Sequence, residues 1–176
     1  QVVTVAPAVV KYSFGASPGT AAPTSGTPVT NLAFSDFSQG NNNGTTTMLS
    51  GTSASSGYTG STGTFNAAAA AVTGEMNSST STYFEFTLTP APANKVTLST
   101  LTFGSRSTST GPQAYSVRSS LDGYTDDIAT GTTPNNSSWG LRSPAVTATE
   151  SGFGQPITFR IYGHSGTGNA ALGTAN

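Results

Sequence analysis

Ile157-Thr158-Phe159-Arg160-Ile161-Tyr162-Gly163 sets three apolar residues against Thr158, Arg160 and Tyr162. An apolar–polar period of two is the pattern of a strand with one face buried and one in water. Working outward, the pattern recurs. Val10, Tyr12 and Phe14 alternate with Lys11 and Ser13, and Phe84, Phe86 and Leu88 with Glu85 and Thr87. Tyr115 and Val117 alternate with Ser116 and Arg118. Turn-forming clusters lie between the runs: Pro90-Ala91-Pro92, Ser109-Thr110-Gly111-Pro112, Asp122-Gly123, Pro134-Asn135-Asn136 and Gly154-Gln155-Pro156. Short amphipathic strands at this spacing predict an all-β fold, an antiparallel β-sandwich or jelly roll with long Gly/Ser/Thr/Asn-rich loops. Residues 38–64 are nearly pure Gly, Ser, Thr and Asn and read as loops with one edge strand. The Ala-rich stretch 67–72 reads as a short helix or as a loop packed over a sheet edge.

Composition narrows the function. The 176 residues hold 6 basic and 7 acidic side chains, one His and no Cys. Small hydroxyl residues fill 56 positions, 25 Ser and 31 Thr, so polarity comes from hydroxyls instead of charge. A net charge of -1 without a basic cluster gives no electrostatic footprint for nucleic acid. No apolar run is long enough for a membrane-spanning helix, and thiol chemistry is absent with the cysteines. The charges are also uneven, with Lys11 and Asp36 the sole ones among the first 74 residues.

Two motifs fail on context. Gly15-Ala16-Ser17-Pro18-Gly19 fits the nucleophile-elbow pattern, but Pro18 lacks the N–H that would serve as oxyanion donor. Gly166-Thr167-Gly168-Asn169-Ala170-Ala171 resembles a dinucleotide fingerprint, yet no helix and no acidic residue follow. The lone His164 beside Gly163 reads as a strand-end residue. No carboxylate pair suggests glycoside hydrolysis, and no enzyme is expected. No cofactor is expected either. Asp122, Asp126 and Asp127 cluster and form a weak candidate calcium site, although Asp122-Gly123 is already accounted for by a hairpin turn. Arg106, Arg118, Arg142 and Arg160 fall at polar strand positions. They read as cross-strand partners, for example of Glu85, or as a sugar platform with Tyr115, Tyr124 or Trp139.

Four sequons, at Asn43, Asn77, Asn135 and Asn136, lie in expected loops and are glycosylation candidates. Gln1 leads without a Met into Val2-Val3-Thr4-Val5, as a processed, exported chain would begin. The expected organisation is an extended arm over residues 1–10, a candidate donor strand carrying Val2, Val3, Val5, Val9 and Val10, and a domain over 11–176.

The blocks Tyr83–Pro90, Leu101-Thr102-Phe103 with Arg106, Tyr115-Ser-Val-Arg-Ser-Ser-Leu-Asp-Gly-Tyr124 and Ile157–Gly163 occur in an order that resembles the secreted bacterial jelly-roll domains of PEP-CTERM-sorted proteins. The resemblance covers about residues 9–172. It implies an exported, non-catalytic sandwich similar to carbohydrate-binding modules. In that pattern another strand follows the Ile157–Gly163 block, and here the chain reaches Thr174-Ala175-Asn176 where it should start. A sandwich short of one strand leaves an unpaired row of backbone groups that an arm from another copy can fill. Such contacts join unlike surfaces and propagate into a filament. Pro7 must then fall at a strand end, bulge or unpaired edge. The alternatives are that Val2–Val5 folds back as an edge strand of its own domain in a truncated sequence, or that the N-terminus is disordered. Two functions follow as expectations: a glycosylated subunit of an extracellular fibre or matrix, whose partners are copies of itself and glycans, or a carbohydrate-binding or adhesion module of a secreted protein.

Overall fold

A computed structural model describes residues 8–12, 14, 23–24, 29–50, 54–61, 65–168 and 171–175. In chain order its strands are β1 (Lys11–Tyr12), β2 (Pro23–Thr24), β3 (Leu32–Phe34), β4 (Ser38–Gly40), β5 (Leu49–Ser50), β6 (Asn66–Ala70), β7 (Tyr83–Pro90) and β8 (Thr97–Leu98). There follow β9 (Phe103–Arg106), β10 (Ala114–Ser119), β11 (Ala129–Thr132), β12 (Gly140–Arg142), β13 (Thr149–Glu150), β14 (Ile157–His164) and β15 (Ala171–Ala175). The one helical turn among the described residues is the 3₁₀ segment Ser120–Asp122.

Two antiparallel sheets make a β-sandwich, as the alternation predicts. The first runs β11-β10-β14-β7-β3, with β4 also paired to β7; the second runs β12-β9-β15-β6-β5. Register follows from the buried face. Phe86 pairs with Phe159, Phe84 with Ile161 and Leu88 with Ile157, so all six apolar side chains point inward together. A slip of one residue would put Arg160 and Glu85 in the core instead. Val117 extends this row opposite Ile161. The second sheet contributes Ala67, Ala69 and Phe103 to the same core, and Phe103 meets Tyr115 edge-on across the sandwich at 5.1 Å.

An aromatic cluster closes one end. Between β3 and β4 the chain leaves the ladder, yet the Ser35 N–H donates to Thr87 O and the Thr87 N–H to Ser35 Oγ. Phe37 thereby turns inward and stacks on Phe84 at 5.6 Å. Tyr12 and Phe14 pack on Phe37 at 5.3 and 5.2 Å, anchoring β1 to the sandwich.

Two expectations are corrected. The stretch 67–72 is neither helix nor edge loop: 66–70 is the strand β6, between β5 and β15, with Ala67 and Ala69 wholly buried. The helix preference of Ala is worth a fraction of a kcal/mol per residue and yields to tertiary context. Small side chains suit this place, because Gly44 lies against Ala70 so closely that a Cβ there would sit 3.1 Å from the alanine methyl. Secondly, the place of a missing last strand is filled. Residues 171–174 pair with Ala67–Ala70 and residues 173–175 with Gly104–Arg106, so β15 lies inside its sheet. Both late strands insert between earlier ones, β14 between β10 and β7 and β15 between β6 and β9. No sequence periodicity announces that insertion.

Candidate functional site

The outer face of the first sheet carries the densest polar and aromatic chemistry among the described residues. In the β7–β14 register Glu85 lies opposite Arg160 and Tyr83 opposite Tyr162. The alternation that sends Phe84 and Phe159 inward therefore sends these four outward. Arg160 Nε donates to Glu85 Oε2 at 2.9 Å and Nη1 to the Tyr162 hydroxyl at 3.4 Å. Its guanidinium carbon lies 4.1 Å from the Tyr83 ring centre and 3.8 Å from that of Tyr124, so the cation is clamped between two aromatic faces. Geometry of this kind uses the planarity of Arg, which Lys does not share.

Local backbone chemistry delivers Tyr124. The Asp122 carboxylate accepts N–H bonds from Tyr124, Thr125 and Asp126 at 3.0, 3.3 and 2.8 Å. Gly123 takes the left-handed conformation that ends the 3₁₀ turn, and Tyr124 follows at φ 62°. Arg118 then ties the hairpin down, donating Nε to Asp127 Oδ1 at 2.6 Å and Nη1 to the Tyr124 carbonyl at 3.0 Å. On the far side Gly40 makes room for Tyr83: a Cβ there would lie 2.2 Å from the phenol Cζ. Arg118 and Arg160 are directly paired in register, a like-charge arrangement that costs stability unless each has its own counter-ion. Asp127 and Glu85 serve as those counter-ions.

The electrostatics favour a charged Arg160 and neutral phenols at Tyr83 and Tyr124. Burial opposes the Arg160 charge, but the Tyr162 and Glu85 hydrogen bonds outweigh it and raise the pKa. Burial also raises the Tyr83 and Tyr124 phenols, against the pull of Arg160. Burial pushes the Asp122 pKa up more than any single hydrogen bond pulls it down, but its backbone N–H donors together outweigh it, so the pKa falls.

The expected site residues are distributed as follows. Arg160 does pair with Glu85, whereas Arg106 Nε binds the Ser137 carbonyl and Arg142 Nε binds Ser105 Oγ, both from the second sheet. The four arginines therefore do not converge. Tyr115 is in the core and Trp139 packs against it, so neither joins Tyr124. Asp122, Asp126 and Asp127 share a hairpin, where Asp122 holds backbone N–H groups and Asp127 holds Arg118. Among the described residues no three His, Asp or Glu side chains converge as a metal site. Gly166 and Gly168 press against the Thr110–Gly111 backbone and side chain, a close approach of two loops. Ser17 and its flanking glycines lie outside the described residues.

His164 Nε2 is 3.2 Å from Ser116 Oγ and Nδ1 is 3.0 Å from Ser165 Oγ. Desolvation lowers its pKa, opposed by Asp127 and Glu75 and aided by Arg118. Ser116 is 2% exposed, too enclosed for its hydroxyl to meet a substrate, so the trio braces the sheet end. Asn43, Asn77, Asn135 and Asn136 are all exposed. Val9 is 79% exposed and Val10 half-buried, while Val2, Val3 and Val5 lie outside the described residues. Sequence reasoning missed Tyr83. Its position two residues before Glu85 on one strand face was the available signal.

No helix among the described residues is long and apolar enough to cross a membrane. Compared with protein-family models, curated proteins and solved structures, the chain matches none.

Proposed function

We propose that the protein is a non-enzymatic, secreted structural subunit that assembles with copies of itself into an extracellular fibre or matrix through its Val-rich arm. The observation that carries this reading is the exit of the arm. Tyr12 is locked to Phe37 and Phe86, and its hydroxyl donates to the Ser35 carbonyl at 2.9 Å. Three residues earlier Val9 stands 79% in solvent. An uncharged, Val-rich sequence that reaches the Tyr12 anchor with Val9 in solvent is suited to adding as a strand to a neighbour. Because β15 fills its own place, the acceptor in this reading is a sheet edge of the next copy and not an empty slot.

The outer-face chemistry agrees with a structural role. Sugar rings dock on open aromatic faces, whereas Tyr83 and Tyr124 each turn a face to Arg160. Removal of residues 1–8 tests the proposal: in negative-stain images and size-exclusion profiles the intact protein forms regular fibres and the shortened one stays monomeric. Fibres of undiminished length from the shortened protein overturn it, as do isolated globules of the intact protein that bind a polysaccharide.

A further inference from the structure

The four sequons are equal in sequence pattern but not in setting. Asn77 stands in Glu75-Met76-Asn77-Ser78-Ser79, the one with a carboxylate two residues ahead; Asn41, Thr133 and Pro134 hold that position before Asn43, Asn135 and Asn136. Glu75, Asn77 and Ser79 are all exposed. The loop that carries them is pinned at its base, where the Gly74 N–H donates to Gly166 O and the Ser165 N–H to Gly74 O, at 3.2 and 2.7 Å.

Within the loop, Asn77 is held on every backbone group. Its N–H donates to Ser81 Oγ at 3.0 Å. Its carbonyl accepts from the N–H groups of Thr80 and Ser81 at 3.2 and 2.7 Å. The Ser79 N–H donates to Asn77 Oδ1 at 2.9 Å, which orders the side-chain amide and leaves its nitrogen as the opposite branch. Asn41 braces the turn from outside through Nδ2 to the Ser81 carbonyl at 3.0 Å. Asn43 differs, since its Nδ2 reaches toward the Ala71 carbonyl at 3.5 Å. Asn136 shares the turn geometry, with the Ser138 N–H on its Oδ1 at 3.0 Å, but has no acid ahead of it.

We infer that Asn77 is the acceptor of an N-linked oligosaccharide, selected from the four sequons by Glu75 and by its ordered loop. The inference rests on the reading of the protein as exported and glycosylated, and is independent of the arm. The donor is a polyprenyl-pyrophosphate-linked oligosaccharide. A bond forms between Asn77 Nδ2 and the anomeric carbon, the bond from that carbon to the pyrophosphate oxygen breaks, and one amide proton passes to a base of the transferase. Ser79 supplies the hydroxyl that an acceptor presents at the third position. Glu75 supplies a charge that a basic transferase groove binds through a charge-assisted contact. A glycan at this exposed loop adds the hydration that a surface with 7% charged residues lacks.

The test incubates the folded full-length protein with a bacterial single-subunit oligosaccharyl transferase and its lipid-linked donor, beside a control acceptor peptide. Intact mass counts the additions, and electron-transfer fragmentation places them. We expect one addition, on Asn77, absent in N77Q and S79A, retained in S79T, and slowed about tenfold in E75Q by loss of one charge-assisted contact. The inference is overturned if the control peptide is modified and Asn77 is not, if Asn136 is modified as fast as Asn77, or if E75Q matches the parent rate. N77Q leaves the arm intact, so fibre formation by N77Q isolates this result from the fate of the assembly proposal.

Discussion

Replacing Arg160 with Lys keeps the charge and removes the plane. Two aromatic faces lie 4.1 and 3.8 Å from the guanidinium carbon. A partly desolvated cation–π contact is worth roughly 0.5–2 kcal/mol. The Glu85 pair, with side chains 22% and 30% exposed, adds about 0.5 kcal/mol after solvent screening. An ammonium can hold Glu85 or sit over one ring, but cannot fill the gap between two rings. We therefore expect R160K to cost about 1.5–2 kcal/mol and R160M about 2–3 kcal/mol, the methionine also leaving Glu85 unpaired. In a chain of this length those losses lower the melting temperature by roughly 3–12 °C. Urea titrations of the parent, R160K, R160M and E85Q, with the R160M/E85Q double variant, separate the ring and carboxylate contributions. If R160K lies within about 0.5 kcal/mol of the parent, the surface-mutation range, then charge and not stacking holds the face together. The account of Tyr83 and Tyr124 then fails.

Two further outcomes follow from contacts elsewhere. At Gly131 an added Cβ would lie 2.3 Å from the Tyr115 hydroxyl and 2.5 Å from its Cζ, so G131A should cost about 1–3 kcal/mol by overpacking. In chemical denaturation, adding Y115F should restore part of that loss, since the ring carbon still clashes. His164, with its pKa lowered below the usual 6.5 by desolvation, links stability to pH. The unfolded chain takes up the proton first, so stability is full above about pH 6.5, falls as the pH drops toward the folded pKa, and is then level in this term. Midpoints measured across that range should show the step in the parent and lack it in H164Q; equal profiles would remove His164 as its source.

Much of the sandwich was legible because its strongest strands obey a simple rule. Phe84, Phe86, Leu88, Ile157, Phe159 and Ile161 alternate with polar residues, and burying one face is the dominant gain available to such segments. The same alternation placed Arg160 and Glu85 on a shared outer face. The Ala-rich stretch was not legible, since Ala suits helix by propensity and a crowded central strand by size, and Gly44 and β15 decide between them. The Asp cluster was half legible: Asp122-Gly123 marked the turn, but the capture of three N–H groups by Asp122 depends on backbone geometry.

By itself the sequence determined the fold class, the inward and outward faces of β7, β10 and β14, the low charge density, and where sequons and turns fall. These are local properties, set by side-chain period, φ preference and residue type. The tertiary structure alone decided which strands are neighbours. That choice put β15 between β6 and β9 and laid Tyr124 over Arg160. The physical reason is that periodicity fixes the direction of a side chain but carries no information about its partner. Partner choice comes from long-range packing and hydrogen bonding, summed over the whole sandwich.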